Sequence, residues 1–162
     1  MVDRMQERLI RSLSNRRREI HRRWDALLHL ERAETPLANP DTLVHMIDWI
    51  LDKVFNELRS RKAYHCGERP RDFASLRAHC HCGNNPFFKL FIAGEQALLE
   101  ALVLVQSEDA SLKPVYRDTA VAELFLVINE IARCEVESLC SLCKNSPCPK
   151  RLSSVALEEI EV

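Results

Sequence analysis

NPFFKLFIAGEQALLEALVLV, residues 85–105, decides the fold. Asn85 is a side chain suited to cap a helix, and Pro86 fits the first helical position, where its missing N–H costs nothing. Beyond them Phe87, Leu90, Phe91, Gly94, Ala97, Leu98, Ala101, Leu102 and Val105 recur at intervals of three and four. That spacing is the period of a helix with one strongly apolar side. Gly94, Ala97 and Ala101 are small, so a neighbouring element is expected to come close there.

The same start signal stands upstream. Asn39-Pro40-Asp41 offers a cap, a first-position proline and a first-turn acid. Leu43, Met46, Ile47, Ile50, Val54, Phe55 and Leu58 follow, with Trp49 beside them, and predict a helix reaching about Arg61. Before it, Val2, Met5, Leu9, Leu13, Ile20, Trp24 and Leu27 form one stripe of a long first helix, with Arg16, Arg17 and Arg18 in the gap on a solvated face. Pro36 and Pro40 bound that helix. Downstream, Ser107–Lys113 reads as a polar loop, and Pro114 opens a last long helix. Its buried stripe is Val121, Leu124, Phe125, Ile128, Ile131, Ala132, Leu139 and Leu142, and it ends near Lys144. Tyr64–Pro70 is expected to be a loop, with a short helix from Pro70 to His79.

Only three glycines occur in 162 residues. Barrels, sandwiches and phosphate-binding loops need more, so the expected class is all-α: an antiparallel four- or five-helix bundle in a single domain. The bundle domain spans 1–149, and 150–162 forms a C-terminal tail of undecided order. Net charge is −1, but residues 1–33 carry nine Lys/Arg against five Asp/Glu, while 95–162 carry six against twelve. The two halves are expected to pack on each other, or on a partner's opposite half. No signal-peptide core and no apolar run of membrane length occurs, which points to a cytoplasmic protein without membrane contact.

Seven cysteines in such a compartment read as thiols, metal ligands or redox switches rather than structural disulfides. Two groups stand out. Cys140, Cys143 and Cys148 crowd the end of the last helix and the turn after it, and Cys140 and Cys143 lie about 60° apart on one side. Cys134 points away from both. His79-Cys80-His81-Cys82 precedes the Asn85 helix start. In an up-and-down bundle the two groups can meet. Two thiolates from the first and two ligands from the second would then form a tetrahedral zinc site.

Cys82, Cys140, Cys143 and Cys148 are the leading ligand candidates, followed by Cys80, His79 and His81. Four readings stay open: zinc, which is favoured; an iron–sulfur cluster, from Cys140-x2-Cys143-x4-Cys148-Pro149; a thiol switch at Cys80 or Cys82 near a helix N-terminus; and incidental cysteines.

Other chemistries lack their residues. No Glu-x-x-His of a di-iron bundle occurs, and no Walker loop, dinucleotide fingerprint or haem-attachment motif. His45, Asp48 and Asp52 read as a solvated helix face. A cysteine nucleophile at Cys80 or Cys82 lacks a recognisable third member, so no catalytic residue is assigned. The arginines of the first helix are followed by a proline-rich break rather than a helix-turn-helix, which disfavours nucleic acid.

Trp24 on a long first helix, with Leu37-Ala38-Asn39-Pro40 opening the second, resembles the N-terminal sensory domains of stressosome RsbR-type co-antagonist proteins. The resemblance covers roughly residues 15–60. It implies a helical, non-catalytic regulatory module and carries over no functional residue; the Cys-rich segments depart from it. The function expected from all this is a small regulatory or sensor domain whose Cys/His cluster binds a metal or reports redox state, acting through a homodimer or protein partner. The alternative is a structural interaction or dimerisation module with incidental cysteines.

Overall fold

A computed structural model describes residues 5, 7–30, 38–60 and 85–141. Among them every regular element is helical, and the chain is all-α. The elements are α1 (Glu7–Asn15), α2 (Arg17–Leu28), α3 (Pro40–Leu43), a 3-10 turn (Val44–Met46), α4 (Ile47–Ser60), α5 (Pro86–Glu108) and α6 (Pro114–Ser141).

The expected long first helix is divided at Arg16. Ser14 and Asn15 are weak helix formers whose side chains compete for nearby backbone groups. The chain tightens there, with Arg16 N–H donating to the Leu13 carbonyl at 3.1 Å before α2 resumes. The apolar stripe continues through the break, so Met5, Leu9, Leu13, Ile20, Trp24 and Leu27 are all buried. Of the three gap arginines, Arg18 is exposed, but Arg16 and Arg17 are not simply solvated. Arg16 pairs with Glu19 and Glu108, and Arg17 with Asp48 and Asp52.

Both Asn-Pro starts form as their chemistry requires. Asn39 Oδ1 accepts from the Asp41 N–H at 3.1 Å, and Asn85 Oδ1 accepts from the Phe87 N–H at 3.0 Å. After Asn39 the helix is not continuous, because the 3-10 turn at Val44–Met46 intervenes. The turn leaves Met46 half-buried while Ile47, Ile50, Leu51, Val54, Phe55 and Leu58 enter the core.

Within α5, Leu90, Phe91, Ala97, Leu98, Ala101, Leu102 and Val105 are buried as the periodicity predicts. Phe88 is buried as well, and Phe87 sits half-buried with its ring edge-on to Phe91. Close approach occurs at Gly94. A Cβ there would fall inside the indole ring of Trp24. That ring is 1% exposed, and its Nε1–H donates to the Leu90 carbonyl at 2.9 Å. A glycine and a tryptophan thus form one knob-and-hole between α2 and α5.

α6 departs from a single stripe. Leu124, Ile128, Ile131 and Ala132 are buried as expected, and so are Ala120, Val127 and Val136. Val121, Phe125 and Leu139 are only half-buried. The helix packs against both α4 and α5, so its buried face turns along its length.

The acidic and basic halves do meet. Arg23 holds Glu100 through two bonds of 2.7 and 3.0 Å, Arg8 pairs with Asp109, and Arg16 pairs with Glu108. The carboxylate of Glu123, itself buried, accepts the Met5 backbone N–H at 2.6 Å just before α1. An anion is favoured at that end of a helix. At the α5–α6 corner the Asp109 carboxylate accepts from the Ser111 hydroxyl at 2.6 Å and its backbone N–H at 3.1 Å. Those bonds, with Arg8 and Arg117 nearby, hold Asp109 below the usual carboxylate range.

Candidate functional site

Cys140 is the member of the expected thiol cluster that falls within the described residues. Cys82, Cys143, Cys148, Cys80, His79 and His81 lie outside them. Cys140 is half-buried against the edge of the core, in the last turns of α6. Cys134, nearly two turns earlier, is exposed, and the two thiols diverge as the 100° step requires.

The contact that matters is between Cys140 and the start of α5. Asn85 is buried, and its amide is fully used. The oxygen caps α5 at Phe87, while Nδ2 donates to the Val136 carbonyl at 3.1 Å and to Cys140 Sγ at 3.2 Å. The amide can sit only this way round. The Phe87 N–H needs an acceptor, and an amide oxygen facing the Val136 carbonyl would be repelled by it, so exchanging O and N would break both bonds. One side chain therefore ties the first turn of α5 to the last turns of α6. At the other end of the pair, Gln106 Nε2 donates to the Arg117 carbonyl at 3.1 Å. Sequence reading identified Asn85 as a cap but missed its second role, since nothing local reveals which helix end lies opposite.

Two of the histidines in the described part, His21 and His29, are engaged with carboxylates. His29 bonds the Asp25 carbonyl through Nδ1 and Asp41 through Nε2, at 2.9 and 3.2 Å, and these contacts raise its affinity for a proton. His21 Nδ1 lies 3.3 Å from Asp48. Burial alone would raise the Asp48 pKa, but its bonds to His21 and Arg17 outweigh that and leave it below the ordinary value. Asp48 and Asp52 are exposed, as expected of a solvated face, and there both receive Arg17 from α2. Among the described residues, no group of three or more His, Cys, Asp or Glu side chains is arranged to hold a metal.

A second surface lies on α5. Ile92 is 42% exposed and Val103 57%, with half-buried Leu99 between them. The spacings of seven and four place the three on one outward stripe. Glu95 flanks it, and its Oε2 is buried with no hydrogen-bond partner among the described residues. Burial pushes this carboxyl up to about 7. On α6, Asn129 spends its Nδ2 on the Phe125 carbonyl at 2.8 Å and leaves Oδ1 without a partner there. Comparison with known protein families, with curated proteins and with solved structures finds no match to this chain.

Proposed function

We propose that this chain is a non-enzymatic regulatory or sensor domain, folded as an antiparallel bundle, whose Cys/His cluster binds a transition metal or acts as a thiol switch. The observation that carries the proposal is the Asn85 bridge to Cys140. Cys82 precedes Asn85 by three residues, and Cys143 follows Cys140 by three. Three residues span at most ~10 Å, so in this proposal both thiols have the reach to be drawn to the bridge. Thiolate and imidazole donors suit zinc, with an iron–sulfur cluster as the other metal option. Cross-contacts at Arg16–Glu108 and Trp24–Leu90, and at Asn85–Val136 and Gln106–Arg117, run in opposite senses along each helix pair, which supports the antiparallel arrangement.

In this reading, ligation or oxidation fastens the end of α6 to the chain before α5 and so biases a dimer or partner surface. The resemblance to stressosome sensory domains fits such a role. Cytoplasmic residence belongs to the same proposal; among the described residues no helix is long and apolar enough to cross a membrane. The test is elemental analysis and an absorption spectrum of anaerobically purified protein, with amide exchange at the start of α5 and the end of α6. Zinc or an iron–sulfur band in stoichiometric amount, or exchange that changes with chelator or oxidant, supports the sensor. No metal together with unaltered exchange rejects it.

The α5 stripe favours a second reading, a helical interaction or dimerisation module with incidental cysteines. Exposed apolar side chains in register on one helix are a common mark of a protein contact. Light scattering of the wild type and of Ile92→Glu/Val103→Glu tests it. A dimer that becomes a folded monomer supports this reading, and a monomeric wild type removes the homodimer.

A further inference from the structure

We draw no further inference here: the strongest candidate, the outward ridge of Arg11, Arg18 and Arg22 along α1 and α2, carries nothing because no ligand or facing surface in the structure shows what covers it.

Discussion

Gly94 shows how much one side chain decides. Within a helix, glycine is worse than alanine by about 1 kcal/mol, so an exposed Gly→Ala change would stabilise. Here the new methyl would enter the Trp24 indole, which is buried and pinned to the Leu90 carbonyl. Overpacking of that kind costs about 1–3 kcal/mol and outweighs the propensity gain. Gly94→Ala is therefore expected to lower stability in denaturant titration, and Trp24→Leu in the same molecule should recover part of the loss. Additive effects would contradict the knob-and-hole. The small residues of α5 were readable as a place of close approach. Their occupant was not, because Trp24 lies seventy positions away in sequence and only packing brings it there.

At the scale of elements, helix starts were the most legible feature, because capping depends on neighbours within three residues. Asn39 and Asn85 were both recognised this way, yet they differ in what else they hold. Asn39 is exposed and caps only its own helix, whereas Asn85 is buried and also binds Val136 and Cys140. Replacing Asn39 with alanine should cost about 1 kcal/mol. Asn85→Ala should cost roughly twice that or more, since it also removes the bonds to Val136 and Cys140 at a buried site. Asn85→Asp keeps the capping oxygen but loses both donors, so its loss should fall with Asn85→Ala rather than with the wild type. Thermal unfolding of the three variants makes the comparison. The division at Arg16 and the 3-10 turn at Val44–Met46 escaped the periodicity, because buried side chains keep their stripe through a local change of winding. The thiol cluster is an expectation from ligand types in the sequence; of its members Cys140 lies within the described residues, beside Asn85 at the start of α5.

Across the whole molecule, the uneven charge of the sequence translates into ion pairs between α1–α2 and the α5–α6 region. These are largely exposed and screened, so added salt should change global stability little. Glu95, together with His29, is expected to give stability a pH dependence near neutrality. The folded pKa of Glu95, about 7, lies above the ordinary carboxyl value of 4.5. The native state thus holds the proton more tightly than the unfolded state does. The corresponding stability is complete below about pH 4.5 and is lost as pH rises through about 7. The side chain is only half-buried, so the effect is discounted to the order of 1 kcal/mol. Glu95→Gln should flatten the pH profile of unfolding between those limits and leave the protein more stable than wild type at pH 8. An unchanged slope would show that the carboxyl titrates normally. Glu95 carried no expectation in the sequence. Its burial is set by how α5 seats, which no local pattern encodes.

The two indoles also give the chain a built-in optical readout. Trp24 is sealed in the interior with its N–H bonded to a carbonyl, while Trp49 is 40% exposed beneath the Lys53 ammonium, 3.8 Å from the ring centre. Emission from the first should be blue-shifted and shielded from acrylamide, and emission from the second red-shifted and readily quenched. Any effector that loosens the α2–α5 seam would then announce itself as a new quenchable fraction, without a label attached to the protein.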